Sequence, residues 1–343
     1  MGILLIIFIA LCLTALMWIG MPVLIRMFIN HKLNTSSKFI GSARQVKLEL
    51  LRGQIVLYDV QLESIHDPLH AEESTFSLHV PVTIIKLSWR SLWHREIAAS
   101  VNIKRLSAKI IHRPDPEISL DKLYHEIHSR IRTLICFNVS LTIEASEVSY
   151  CMDDELNTIM LRSVSCHIDN LTNNFTKVHQ TTFRINSEVF EGTLHVTGTI
   201  DARAEKLTFA SHILLDRARL PYLNPFLRKY MRFDVAAGLL DVCAEVQTDE
   251  GIVTGYLEPA ISNVQVRGRD DFDKGFFNKV WEWGIALAIK GIGSGRQDKI
   301  SIRIPIRGTV DTVHVSVGSM IPGIINKLFG RILPMFRLWP VAG

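Results

Sequence analysis

The sequence has little of what marks several common protein classes. Its 38 basic and 34 acidic side chains give a net charge of only +4, so it offers no large basic field for nucleic acid. Its 20 glycines and 12 prolines in 343 residues are too few for a low-complexity or collagen-like chain. A hydrophobic content of 48% excludes disorder over most of the length. Only one run is long and apolar enough to span a bilayer, which excludes a polytopic membrane protein.

Catalytic and metal-binding motifs are also lacking. The five cysteines form no CxxC pair, so a zinc or thioredoxin-like site has no support. Cys151 and Cys166 either pair across neighbouring strands or serve as small buried hydrophobes. The sequence contains no GxxxxGK[ST] phosphate loop, no GxSxG nucleophile elbow and no kinase signature. We therefore expect no enzyme activity, no cofactor and no metal site.

The first 25 residues, from Met1 to Ile25, carry no charged side chain. A helix needs about 20 apolar residues to cross a bilayer, whereas a signal peptide has a shorter apolar core and a small-residue cleavage site. We predict an uncleaved transmembrane anchor over residues 1–29. The basic residues that follow, such as Arg26 and Lys32, favour a cytoplasmic location for the rest of the chain, but a long domain can translocate regardless of charge.

Beyond the anchor, apolar and polar residues alternate with a period of two, which predicts strands with one apolar face. Two runs predict stripes that line a shared apolar surface, formed by Val139, Leu141, Ile143, Ile300, Ile302, Ile304 and Ile306. We expect about 14–16 strands in one mainly β domain over residues 30–318. The predicted hairpin turns are Arg52-Gly53, Glu191-Gly192, Ala237-Gly238, Glu250-Gly251 and Arg307-Gly308. The predicted short helices are Ser91–Glu96, Ser119–Leu134, Asn224–Tyr230 and Phe276–Ile289.

The C-terminal segment, residues 319–343, combines large apolar residues with basic ones and has no Asp or Glu. Such a composition suits a helix at a lipid interface, and it equally suits a helix that caps the apolar surface of the sheet. The predicted membrane contacts are Ile324, Lys327, Leu328, Arg331 and Ile332.

Four stretches of the sequence are distinctive when taken together. They are the N-terminal helix running into Gly20-Met21-Pro22, the strand-turn-strand Val46–Ser64, the segment Leu223–Val266 with its Gly255–Pro259 element, and Asp298–Val310. In these stretches the chain resembles the AsmA-like family of bacterial envelope proteins. The resemblance implies a long antiparallel sheet curled lengthwise into a half-pipe, whose apolar groove holds phospholipid acyl chains. It also implies an inner-membrane protein with most of its chain in the periplasm. Its expected partners are phospholipid, the membrane and other envelope proteins, and its expected role is lipid transfer between membranes and envelope integrity.

Two other classes of function remain open at the level of the sequence. The first is an anchored scaffold or assembly factor, which would have a closed core and act by protein contacts. The second is an anchored hydrolase with a dispersed active site, which would place perturbed carboxylates or a histidine–nucleophile pair in a cleft.

Overall fold

The computed structural model describes most of the chain between residues 20 and 309. The described ranges are 20–35, 39–49, 52–65, 75–93, 96–112, 137–152, 158–172, 180–201, 204, 206–231, 234–267, 299–301 and 303–309. Most of the predicted anchor, the predicted helices Ser119–Leu134 and Phe276–Ile289, and the C-terminal segment 319–343 lie outside these ranges. Among the described residues, none of the helices is both long and apolar enough to cross a membrane.

The described residues are mainly β, as predicted, and fourteen strands join in one sheet. The strands are β1 (Phe39–Glu49), β2 (Gln54–Ser64), β3 (Thr75–Leu87), β4 (Ile97–Lys104), β5 (Ser107–His112), β6 (Phe137–Met152), β7 (Thr158–Thr172), β8 (Thr181–Val189), β9 (Gly192–Ile200), β10 (Phe209–Arg219), β11 (Asp234–Asp249), β12 (Ile252–Arg267), β13 (Lys299–Ser301) and β14 (Ile304–Thr309). The helices are α1 (20–34), α2 (Trp89–Trp93), a 3₁₀ helix (Leu220–Leu223) and α3 (Asn224–Met231).

The strands follow chain order across the sheet. β4 and β5 lie end to end between β3 and β6, and β13 and β14 lie end to end beside β12. The fourteen strands therefore occupy twelve positions. At a spacing of about 4.8 Å between neighbours, the sheet extends roughly 50 Å from β1 to β14.

The expectation of a purely antiparallel sheet is wrong, because the sheet is mixed. β4 and β5 both run parallel to β6, whereas the other paired strands are antiparallel. A parallel neighbour needs a crossover of a dozen or more residues. The chain between His112 and Phe137 is long enough to supply one, and period-2 alternation carries no signal for the direction of a strand.

Three of the five predicted hairpin turns are confirmed, at Gly53, Gly192 and Gly251. The turns predicted at Ala237-Gly238 and Arg307-Gly308 are wrong, since these residues lie inside β11 and β14. Gly238 instead makes room for a neighbouring element, because its φ is +146° and a Cβ there would approach Leu220 Cδ1 to 2.7 Å. The absent side chain lets the 3₁₀ helix pack on the sheet.

Two of the four predicted short helices fall on described residues, and one of these two is displaced. The helix predicted over Asn224–Tyr230 is confirmed as α3. The helix predicted over Ser91–Glu96 is displaced toward the N-terminus, because α2 covers Trp89–Trp93. The helix therefore starts directly after β3 and contains both tryptophans of this connection.

Cys151 and Cys166 are both buried and unpaired with each other. Cys166 lies opposite Ile143 in the ladder of β6 and β7, whereas Cys151 lies opposite Thr158. Following the alternation of β6 through its bulge places the two thiols on opposite faces of the sheet. The interpretation as small buried hydrophobes is therefore confirmed, and burial raises the pKa of the Cys166 thiol.

Candidate functional site

The strand register places the apolar side chains on a single face of the sheet. Residues directly opposite each other in a ladder point to the same side, so the pairing carries one face across all twelve positions. The first apolar row across the sheet is Val46, Leu57, Thr83, Ile103, Ile143, Cys166, Ile185, Val196, Ile213, Ala244, Leu257 and Ile304. Thr83 is the one hydroxyl in this row, and no member is charged.

A second apolar row runs beside the first, two residues along each strand. Its members are Leu48, Ile55, Ile85, Val101, Leu141, Ile168, Phe183, Gly198, Ser211, Val246, Gly255 and Ile306. All twelve are partly exposed, and none reaches full burial. We call the surface formed by these two rows the apolar face.

The opposite face of the sheet is mostly polar. The row between the two apolar rows contains Lys47, Val56, Ile84, Asn102, Thr142, His167, Arg184, Thr197, His212, Glu245, Tyr256 and Pro305. The sheet is therefore strongly two-sided. Adjacent residues such as Leu141 and Thr142 provide matched positions on its two faces.

Little of the described structure covers the apolar face. The described strands make their closest contacts with their ladder neighbours, and every member of the second row keeps partial solvent exposure. Leaving one large aliphatic side chain exposed forgoes about 1.5–3 kcal/mol of burial. An uncovered apolar surface of this length is typical of a site that receives a ligand or a partner.

Four residues in left-handed conformation lie at the same level of the sheet, on β2, between β4 and β5, on β6 and on β7. Asp59, Arg105, Ala145 and Ser163 have φ values between 47° and 56°, and each stands where the local register is interrupted. Ala145 and Ser163 each insert one residue into the ladders of β6 and β7, so apolar positions stay on the same face on both sides of the insertion. Bulges also bend a strand and increase its twist. We call this feature the bulge line.

Buried polar contacts hold the bulge line in place. The Ser146 side chain is fully buried; its hydroxyl accepts the Leu106 N–H at 3.0 Å and donates to the Glu144 carbonyl at 3.0 Å. These bonds join β6 to the break between β4 and β5. The Arg105 N–H also donates to the Glu144 carbonyl, at 2.9 Å. The interruption in the ladder is thus stabilised by hydrogen bonds from both strands.

On the polar face, an ion cluster spans the bulge line at Asp59. His79 Nε2 lies 2.7 Å from Asp59 Oδ1, Gln61 Nε2 donates to the same carboxylate at 3.4 Å, and Arg44 lies 3.8 Å from Oδ2. The hydrogen bond from His79 is the main reason that the pKa of Asp59 falls below its ordinary value. The charged carboxylate therefore connects β1, β2 and β3.

One end of the apolar surface is closed by the 3₁₀ helix and α3, which connect β10 to β11. Leu220, Leu223 and Leu227 pack there with Ile159 and Val189, and Leu227 is only 1% exposed. The Asn224 amide ties the helix to the sheet, because its Oδ1 accepts the Val235 N–H at 2.8 Å and its Nδ2 donates to the Val235 carbonyl at 2.9 Å. We call this region the leucine plug.

The polar face carries a second group of reactive side chains on β10, β11 and β12. Cys243 Sγ lies 3.9 Å from His212 Nε2, and hydrogen bonding to Glu245, with burial, raises the pKa of Tyr256 to about 12. The Arg303 guanidinium lies 3.7 Å above the Tyr256 ring. These groups lie on the polar face of the sheet, opposite the two apolar rows. No metal-binding cluster occurs among the described residues.

The two predicted stripes meet in the same pair of rows. Ile143 and Ile304 belong to the first row, and Leu141 and Ile306 belong to the second. Val139 lies on the same face, between Ala99 and Leu171 in the ladder. The backbone of Ile300 pairs with Ile261. Ile302 and the predicted membrane contacts Ile324, Lys327, Leu328, Arg331 and Ile332 lie outside the described residues.

The bulge line and the leucine plug were not predicted from the sequence. The left-handed positions are occupied by Asp, Arg, Ala and Ser rather than by glycine, so they carry no sequence signal. The plug has a weak signal, because Leu220, Leu223 and Leu227 recur at helical spacing between two strands.

None of the known protein-family models matches the chain, and the curated proteins contain no match either. Membership of the AsmA-like family therefore stays a prediction.

Proposed function

We propose that this chain is a membrane-anchored protein of the bacterial envelope whose apolar face binds phospholipid acyl chains and helps to transfer them between membranes. The observation that carries the proposal is the second apolar row. It crosses all twelve strand positions without a charged side chain, and each member stays partly exposed. Acyl chains match this surface because they make no hydrogen bonds and their transfer from water is favourable.

The bulge line supports a further part of the proposal, in which the sheet curls lengthwise into a half-pipe. Bulges at aligned positions in successive strands bend the whole sheet along one line. Curling toward the apolar side would place the two rows around an acyl chain instead of beneath it. The leucine plug would then close part of this groove.

The proposed location is the inner membrane, with one anchor over residues 1–29 and most of the chain in the periplasm. The charge-free stretch from Met1 to Ile25 and the AsmA-like resemblance support this location. A sheet of roughly 50 Å is short for a bridge between two membranes. Transfer over a longer distance would need another envelope protein to continue the route.

A protein scaffold is the alternative, and the leucine plug favours it. In that part of the sheet the apolar side is already closed by protein, as it is in an ordinary core. If the remainder of the apolar face were closed in the same way, by a partner or by other parts of the chain, no space for lipid would remain. The deciding property is what touches the second apolar row.

Site-specific photo-crosslinking in growing cells tests the two functions directly. A photoreactive amino acid would replace Leu141 or Val246 in the second apolar row, and its matched controls would replace Thr142 and Gln247 on the polar face. Lipid transfer predicts phospholipid adducts, detected by mass spectrometry, at positions 141 and 246 and not at 142 and 247. Protein adducts alone at positions 141 and 246 would refute lipid transfer and support the function as a protein scaffold.

A further inference from the structure

Helix α1 lies along the free edge of the sheet. β1 pairs with β2 on one side. On its other side, the Asn30 amide accepts the Ala43 N–H at 2.8 Å and donates to the Ala43 carbonyl at 3.4 Å. One turn later, Asn34 Oδ1 accepts the Gly41 N–H at 3.3 Å. Two asparagines thus take the place of a neighbouring strand and protect the open edge.

These bonds fix the direction of α1. Residue numbers rise along the helix while they fall along β1, so the two elements run antiparallel. Gly20 lies about 15 Å from Asn30 along the helix, and Glu49 lies about 20 Å from Ala43 along the strand. Residues 20–28 therefore extend from Asn30 in the direction of the end of the sheet that contains the turn at Gly53.

Exposed apolar side chains occur on α1 and on α2, which follows β3 at the same end of the sheet as the turn at Gly53. Val23, Leu24, Met27 and Phe28 are each more than half exposed on α1. Trp93 on α2 is 87% exposed, which is an unusual position for the largest apolar side chain.

The corner is held together at Gly53. Its φ is +60°, and a Cβ there would approach Leu87 O to 2.6 Å and Trp89 Nε1 to 2.9 Å. The Leu87 N–H also donates to the Gly53 carbonyl at 2.7 Å. The turn between β1 and β2 therefore contacts Trp89, the first residue of α2, and holds the start of α2 at this end of the sheet.

We infer that this corner, formed by residues 20–28, Gly53 and α2, rests on the lipid bilayer and that Trp93 inserts into its interface. The inference depends on the membrane anchor of the proposed function. The bilayer is the occupant because the exposed residues of α1 continue a stretch without charge from Met1 to Ile25. Tryptophan is enriched at the level of the lipid headgroups, where an apolar ring and a polar N–H are both satisfied.

Docking at this corner has a consequence for the apolar face. Both apolar rows begin on β1, at Val46 and Leu48, close to the strand end that approaches the start of α1. The corner would therefore hold the first members of both rows at the bilayer surface, where an acyl chain can leave the membrane for the sheet.

Fluorescence quenching by brominated phospholipid tests the inference in the full chain. The chain would be reconstituted into vesicles of phosphatidylcholine and phosphatidylglycerol, with and without bromine near the headgroup. Trp93 would be the single tryptophan, with Phe at Trp18, Trp89, Trp281, Trp283 and Trp339. In the matched control, Trp93 is also Phe and Leu214, exposed on the polar face, is replaced by Trp.

We expect brominated lipid to remove at least half of the Trp93 emission and to leave the control unchanged. Unquenched Trp93 in a chain that still floats with the vesicles would overturn the docking while leaving the anchor intact. Equal quenching of both chains would also overturn it, because the whole sheet would then lie on the lipid. A chain that fails to float would refute the anchor itself. If the phenylalanine replacements unfold the chain, a photoreactive residue at position 93 gives the same contrast by lipid adducts.

Discussion

Three matched Leu→Ala substitutions separate an uncovered apolar face from a closed core. Leu227 lies in the leucine plug, Leu141 in the second apolar row and Leu214 on the polar face. The same atoms are removed each time, so the differences in unfolding free energy report mainly the burial of each side chain, with a smaller contribution from the propensity of alanine for helix or strand.

The expected magnitudes follow from burial. Leu227 is 1% exposed, and truncation there loses the transfer free energy and leaves a cavity, about 3–4 kcal/mol together. Leu141 is only partly buried, and solvent or lipid can fill the space, so about 1–1.5 kcal/mol is expected. Leu214 is 38% exposed on the outside and should lose less than about 1 kcal/mol.

Denaturant titration of the full chain in a mild detergent, followed by circular dichroism, measures all three values. The order Leu227, Leu141, Leu214 is the expected result. A loss at Leu141 as large as the loss at Leu227 would refute the reasoning, because it would mean that the apolar face is closed by protein. A small loss at Leu227 would show instead that α3 does not pack as described.

Three further predictions concern the bulge line, the first turn and the ion cluster. Ser146→Ala leaves the partly buried Leu106 N–H without its acceptor and should cost about 1–3 kcal/mol in the same titration, whereas an unchanged value would remove Ser146 from the bulge line. Gly53→Ala places a Cβ in a left-handed turn against Leu87 O and should cost about 1–2 kcal/mol or more, with Gly251→Ala, whose nearest neighbour is the flexible Lys206 chain, as the milder comparison. Because the folded pKa of Asp59 is lowered, its contribution is present above about pH 4 and is lost as the pH falls further; Asp59→Asn should flatten this acid loss of stability, and parallel pH profiles would contradict the role of the cluster.

Alternation alone was sufficient to predict the mainly β fold and the shared face of four of the predicted residues. Leu141, Ile143, Ile304 and Ile306 were assigned to one apolar surface from spacing, and the register places them in two shared rows. This works because a side chain in a strand changes sides at every residue, so local spacing decides its face.

Spacing could not predict the features that depend on distant parts of the chain. β6 runs parallel to β5 because the chain crosses back to the other end of the sheet before β6 begins. The spacing of apolar residues does not record this crossing. Ala145 continues the alternation of Val139, Leu141 and Ile143 in the sequence, yet it is the bulged residue, and Ser146 takes the apolar-face position opposite Val164. A single inserted residue changes the face of every later side chain. In the sequence, the only indication of this insertion is that a serine, Ser146, occupies an apolar-face position.

The bulge line and the leucine plug explain together why the apolar face is divided. The plug packs on strand segments that lie on one side of the line, including Ile159, Val189 and Tyr150. The two apolar rows lie on the other side of it. A sheet that needed only a stable core would gain by extending the plug across the line, since each newly buried aliphatic side chain would contribute about 1.5–3 kcal/mol. The partly exposed aliphatic side chains of the second row, such as Leu141 and Val246, forgo part of this gain, and a ligand that occupies the row would account for the cost in stability.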